Sequence, residues 1–296
     1  MAEVVSKGTM LPAKVVADIF NGVRGHSSVA RLTPEDPIAF NGNEYFIFNL
    51  DSEASIVGEN EAKVNGGGTV SSEIVRPYKF EYGMRVSDEF LYGTEEYQMG
   101  VLEQFALGAS RKFARGLDIG SFHGLNPKSG QPSSAVGNNH FDSKVGTEIT
   151  YDASNPDSNL AAAVTAVQGA GGEVTGMALS PAFATAMANL KVNGVPQFPE
   201  FRFGGNPEIF AGMRSDVNNT IVFGSSEDRA IVGDFANAFK WGYAKNIPLE
   251  VIPYGNPDNS NEGDLKNKNQ VYLRAEAYIG WAILMPTAFA RITASE

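Results

Sequence analysis

The sequence predicts an α+β fold that carries an inserted α/β unit, and three observations predict it. Tyr78, Phe80, Tyr82, Met84 and Val86 alternate with Lys79, Glu81, Gly83 and Arg85, the period-two pattern of a half-buried strand. Leu102, Phe105, Ala109, Phe113 and Leu117 recur at intervals of three and four, which places them on one face of a long helix. Between Asp157 and Ile252, short apolar strand signals alternate with helical runs, the mark of an α/β unit.

Taken in order, the chain opens on a polar segment too short to own a core, so it is an arm that is ordered only against another surface. From Met10 to Val23, Val15, Val16, Ile19, Phe20 and Val23 follow helical spacing, with Pro12 suited to a first turn. Tyr45 to Leu50 reads as a strand. The stretch from there to the Tyr78 strand is rich in Gly, Ser, Glu and Asn, with Gly66, Gly67 and Gly68 consecutive. It exceeds the ~12–15 residues of ordinary loops, so we expect an extended two-stranded arm projecting from the body. Ser87 and Asp88 offer N-terminal caps ahead of the helix from Glu95 to Leu117, and Arg111, Lys112 and Arg115 suit its negative end. After Asp118, the Gly, Pro, Ser and Asn content predicts a surface loop.

In the second unit, Leu160 to Val167 is an alanine-rich helix stopped by Gly169, Gly171 and Gly172. Met177 to Leu179 is a short buried strand, and Ser180 with Pro181 opens a helix to about Leu190. Ile221 to Phe223, Ala230 to Val232 and Leu249 to Ile252 are further expected strands. A polar run from Asn256 to Asn269 precedes an apolar segment, Val271 to Thr293. That segment should return to the strand ending at Val86, because neither can bury its face alone.

Composition narrows the function. The 296 residues carry a net charge of -11, which repels nucleic-acid phosphates over most of the surface. Cysteine is absent, which removes thiolate metal sites and cysteine nucleophiles. His26, His123 and His140 show no metal-ligand spacing and read as solvated loop residues. Phosphate-cradling glycine loops and the Gly-x-Ser-x-Gly motif do not occur. Charges interrupt every apolar run near the start, so neither signal peptide nor membrane span is expected there, and the chain reads as soluble. Paired carboxylates such as Asp216 with Glu227 or Asp228 would suit a hydrolytic enzyme, but no spacing fixes them on one cleft. In the projecting stretch, Glu53, Glu59 and Glu61 flank Lys63. Such runs are ordinarily solvated; the sharper reading docks the arm on Arg31, Arg85, Arg111, Lys112 and Arg115 of a neighbouring copy.

Several segments, in this order and spacing, resemble a known family. Ile56-Val57-Gly58-Glu59 ahead of Lys63 is similar to an extended-loop pattern, and Arg85 to Leu91 to a strand-to-helix entry. Asp118 to Gly124, followed by Pro127 and Gly130, resembles a helix exit, Gly233-Asp234-Phe235 a strand end, and Met285 to Phe289 a closing strand. Together they resemble the tailed-bacteriophage major capsid proteins of the HK97 fold. The resemblance implies an N-terminal arm with the start of the body (1–44), an extended β-hairpin loop (45–82), and a peripheral domain (83–151 and 255–296) built on a spine helix (95–118). It also implies an inserted α/β axial domain (152–254). The implied function is a structural one without enzymatic activity or cofactor: pentamers and hexamers of the chain tile an icosahedral shell around a double-stranded DNA genome. That DNA would be held without sequence-specific binding, in a virion assembled in the bacterial cytoplasm and touching no membrane. An encapsulin-type compartment shell is the alternative.

The resemblance also implies partners and one chemical site. A portal is expected, and a separate scaffolding protein, or none, because self-scaffolding members of the family carry a long helical segment ahead of the arm whereas Met1 here begins almost at the arm; a decoration protein is a further candidate. Some family members lock the shell by isopeptide bonds; matched positions here are Lys63, Asn269 and, as proton acceptor, Glu276. The favoured reading is plainer, with Lys63 paired to Glu59 or Glu61, Asn269 capping a polar loop and Glu276 bound to an arginine, because the flanking residues differ from the cross-linking pattern.

Overall fold

The computed structural model describes residues 22–50, 53–62, 65–246 and 249–294. The expected N-terminal arm and most of the helix from Met10 to Val23 lie outside the described residues, as does Lys63; residues 22–26 are helical.

Fourteen strands and five labelled helices follow among the described residues. They begin with α1 (Ser28–Leu32), β1 (Asn43–Leu50), β2 (Gly68–Val75), β3 (Pro77–Ser87), α2 (Glu95–His123), α3 (Phe141–Lys144) and β4 (Glu148–Thr150). Next come α4 (Pro156–Gly169), β5 (Gly176–Leu179), α5 (Pro181–Asn189), β6 (Lys191–Val192), β7 (Val195–Pro196), β8 (Ile209–Phe210) and β9 (Met213–Val217). The rest are β10 (Asp228–Gly233), β11 (Phe239–Asn246), β12 (Glu250–Ile252), β13 (Gln270–Ile283) and β14 (Phe289–Thr293).

Two sheets carry the body. In the first, β13 is central. It pairs antiparallel with β3 from Gln270↔Ser87 to Gly280↔Pro77, while β11 and β12 share its other edge. The expected return of the closing segment to the Val86 strand is this pairing, with Val271 opposite Val86. The second sheet has the order β4-β14-β10-β5-β9-β8. Its two parallel pairs, β5 with β9 and β4 with β14, flank antiparallel neighbours.

The sheets redraw the expected inserted unit. β4 and β14 flank the stretch 152–254 in sequence, yet they form one side of its sheet, while β11 and β12, inside that stretch, join the first sheet. Burial explains the exchange. Phe289 to Ile292 of β14 are buried without alternation, as suits a strand covered on both faces beside β10. Trp241 of β11 is fully buried and lies opposite Trp281 of β13. Likewise β3, partly assigned to the extended loop, belongs wholly to the first sheet, and Ile221 ends a 3-10 turn instead of opening a strand.

The long helix is α2, 29 residues, capped by Thr94, whose hydroxyl accepts from the Tyr97 N–H at 3.3 Å. Ser87 caps the short 3-10 turn before it. Contrary to the expected exit at Asp118, α2 runs to His123, and Gly116 to His123 are all buried. Two glycines make this end workable. At Gly120 a Cβ would sit 2.8 Å from the Trp281 ring, so only glycine lets the helix approach that indole. Gly124 takes the left-handed conformation (φ 66°) that closes the helix, its N–H donating to the Gly120 carbonyl.

The main core lies between α2 and the first sheet, with Phe141 at 5.0 Å from Phe289, 5.5 Å from Phe239 and 5.7 Å from Phe122, ring to ring. A second core fills the space between α4, α5 and the second sheet. Joining the two is α1, held by two buried aspartates. Asp118 of α2 accepts from the Ser27 hydroxyl (2.6 Å), the Ser28 and Val29 N–H groups, Asn218 and Thr220. Asp216 of β9 takes the Ser28 hydroxyl at 2.5 Å together with Arg31 and Asn206.

Candidate functional site

The feature that the body does not absorb is the hairpin β1–β2. Its register runs antiparallel from Asn43↔Val75 to Leu50↔Gly68, and it is separate from both main sheets. The root is fixed: Val75 is fully buried with Ile38 and Ala282, the Tyr45 hydroxyl donates to Asp36 at 2.7 Å, and Lys144 meets Glu73 at 2.5 Å. Tyr45 and Glu73 lie opposite each other, so this face is tied to the body.

The other face is bare. Register places Phe46, Phe48 and Leu50 with Ile74, Ser72, Val70 and Gly68, and Phe46, Phe48, Leu50 and Val70 are 64%, 67%, 80% and 60% exposed. An isolated two-stranded hairpin is marginal in water, and a continuous stripe of this kind marks an association surface. At the tip, Gly58 and Glu61 close a turn in which the Gly58 N–H donates to the Glu61 carboxylate at 2.9 Å, and Ile56 is fully exposed. Glu53, Glu59 and Glu61 are all exposed.

The basic candidates divide. Arg31 is paired with Asp216 beneath α1. Arg85, its side chain almost covered, holds the loop 256–263 through Asp258 (2.6 Å), Asn256 (2.7 Å) and the Gly263 carbonyl (2.9 Å), and this bond keeps Asp258 well below the usual carboxylate range. Arg115 donates to Asn219 and stacks on Phe223. Arg31, Arg85 and Arg115 are therefore engaged within the chain, whereas Arg111 and Lys112 are exposed on α2. Beside them, an apolar recess of about 680 Å³ opens between β3 and α2, lined among others by Tyr82, Met84, Tyr97, Val101 and Phe105. Arg111 follows the lining residues Gln104 and Gly108 by seven and three positions, so it stands on the same helix face.

The cross-link candidates sit apart. Asn269 occupies a left-handed turn (φ 55°) before β13, and its carbonyl accepts from the Asp88 N–H. Glu276, in β13, pairs with Lys79 at 2.7 Å and stands 3.8 Å from Arg274. Seven residues along one strand separate them by roughly 23 Å, so one chain does not bring them together.

Sequence reasoning missed the end of α2. His123, expected in solvent, is buried; its Nδ1 lies 2.8 Å from Asp142 and its Nε2 2.9 Å from the Thr220 carbonyl. Ligand-type atoms of His123, Asp142 and Asp228 fall within 4.8 Å of one another. Arg291 already bonds Asp228 at 3.1 Å, so a guanidinium stands within this cluster and the group is an ion-pair network. No sequence spacing could signal it, since its members come from four elements. Asp216 and Asp228, the paired-carboxylate candidates, are both neutralised in this way inside the body.

An arm, a long helix, a central β13 and an inserted mixed sheet define the HK97-like capsid architecture. The chain belongs to the Phage capsid family, whose model matches residues 7–294. Among solved structures it is similar to one from Mycobacterium phage Ogopogo, at 29% identity and TM-score 0.75, covering 91% of this chain and 92% of that one. It is also similar to one from Gordonia phage Cozz, at 24% identity and TM-score 0.71, covering 93% and 86%. A virus-like particle from Pyrococcus furiosus shares the fold at 13% identity and TM-score 0.53, covering 95% and 98%. No curated protein matches the chain. The protein is thus a structural subunit of a tailed-phage capsid shell, built from many copies and resident in the virion.

Proposed function

We propose that each copy is locked into the shell by laying its β1–β2 arm, bare face down, on the recess between β3 and α2 of a neighbour. The observation that carries this is complementarity. The arm offers Phe46, Phe48, Leu50 and Val70 beside the acids Glu53, Glu59 and Glu61; the recess offers Tyr97, Val101 and Met84 beside Arg111 and Lys112. Burial of the stripe supplies the affinity, and the charges set orientation. Around this contact we place pentamers and hexamers in an icosahedral shell with double-stranded DNA inside, assembled in the host cytoplasm. The portal, a separate scaffolding protein and a decoration protein are its further partners. The net charge of -11 favours DNA packed without sticking, and the role requires no enzymatic turnover.

Expression of the chain alone, followed by sedimentation and electron microscopy, tests this. Megadalton particles or capsomer rings support it, with closed regular shells removing the scaffold from the partners. A 31.7 kDa monomer that persists at every concentration, both alone and when co-expressed with the phage's scaffolding protein, refutes it.

A further inference from the structure

The C-terminal end of α2 is joined to the second sheet by charge. His123 is the last residue of the helix and is buried beneath Asp142 of α3, Thr220 of the 3-10 turn, Asp228 of β10 and Arg291 of β14. Both ring nitrogens face oxygen acceptors: a carboxylate on Nδ1 and a backbone carbonyl on Nε2. A neutral imidazole carries one N–H and one lone pair, so it would set that lone pair against an oxygen at under 3 Å. A carbonyl cannot supply the missing proton.

The surroundings agree. Asp142 keeps some exposure and is approached by Arg291 at 3.9 Å, which favours its ionised form; Arg291 also donates to the Asp142 carbonyl at 3.0 Å and reaches Glu148 of β4 at 3.2 Å. Asp228 is fully buried and bonded to Arg291. His140, the residue before α3, lies so close to Gly124 that a Cβ there would touch its ring, and Asp118 is linked to the site through the Thr220 hydroxyl. Arginine and imidazolium thus face the two carboxyl groups of Asp142 and Asp228 at one joint.

We propose that His123 is a permanently protonated imidazolium at neutral pH and that its proton is a latch, tying the long helix to the inserted sheet through Asp142 and the 219–221 turn and releasing the joint under alkaline conditions. Burial alone would lower the His123 pKa, but the Asp142 bond and charge, the Thr220 carbonyl and Asp228 outweigh it and raise the value. Burial and the charge of Asp142 push Asp228 up to about 7, against Arg291. Burial lowers His140, which keeps a second cation away. Since the folded-state values of His123 and Asp228 are raised, their contributions are present in acid and lost as pH climbs through the folded values.

The test uses assembled full-length particles labelled with ¹⁵N-histidine, because the chain holds only three histidines. Solid-state spectra at pH 7, assigned with His26→Gln and His140→Gln, should show both His123 nitrogens protonated. A neutral tautomer at pH 7 overturns the proposal. In parallel, the melting temperature of wild-type particles should fall as pH rises above 6.5, whereas Asp142→Asn should shift that fall to lower pH and His123→Gln should remove the histidine part of it. A His123→Gln profile that parallels the wild type also overturns it. If His123→Gln does not form particles, the wild-type spectrum still decides.

Discussion

Replacing Phe46 and Phe48 together by serine removes the centre of the arm's bare face. Both rings are about two-thirds exposed and project from the same side of β1. A phenylalanine buries on the order of 150–250 Å² when covered, so each leaves ~130 Å² for a neighbour, or about 3 kcal/mol at ~25 cal/mol/Å². The pair is then worth up to about 6 kcal/mol per contact, roughly a 10⁴-fold shift in association, as an upper bound because binding also orders side chains. The subunit's own stability should change by less than about 0.5 kcal/mol, since neither ring is in a core. Analytical ultracentrifugation across a concentration series reads the first quantity and thermal melting of the unassembled fraction the second. Particles that form at wild-type concentrations, or a subunit that unfolds, would refute the reasoning.

Further predictions follow from the same geometry. Asp118→Ala strands the buried N–H groups of Ser28 and Val29 and two hydroxyls, and should cost about 3 kcal/mol or more in chemical denaturation; a loss under ~0.5 kcal/mol contradicts its role. Burial pushes Asp118 up to about 6 despite those donors, so its ionised form is the strained one. Its contribution should therefore be greatest in acid and be lost as pH rises through about 6, and Asp118→Asn should flatten that part of the profile. Gly120→Ala drives a methyl to within 2.8 Å of the Trp281 ring and should lower stability by about 1–3 kcal/mol, read as a reduced melting temperature. Particles boiled in detergent should give a single band near 31.7 kDa, because Glu276 is already engaged by Lys79; a ladder of multiples would instead show the isopeptide bond at Lys63 and Asn269.

Local periodicity made the framework legible. The alternation in β3 and the three-and-four spacing in α2 are properties of neighbouring residues, and the glycine-rich stretch announced a projecting arm by length alone. What stayed hidden depends on partners far along the chain. Asp118 to His123 carry loop-type residues, yet they are helical and buried, because Asp118 serves residues 27–29 and Gly120 admits Trp281. Arg85 reads as a surface cation until the loop from Asn256 closes over it. The membership of β14 and β11 in their respective sheets is a question of tertiary pairing that a run of apolar residues does not answer.

An electron cryomicroscopy map of the assembled shell is the decisive measurement. It should place Phe46, Phe48 and Leu50 in density against β3 and α2 of an adjacent copy, with residues 53–62 near that copy's Arg111 and Lys112. An arm folded back on its own subunit, or standing free in solvent within a closed shell, would contradict the account.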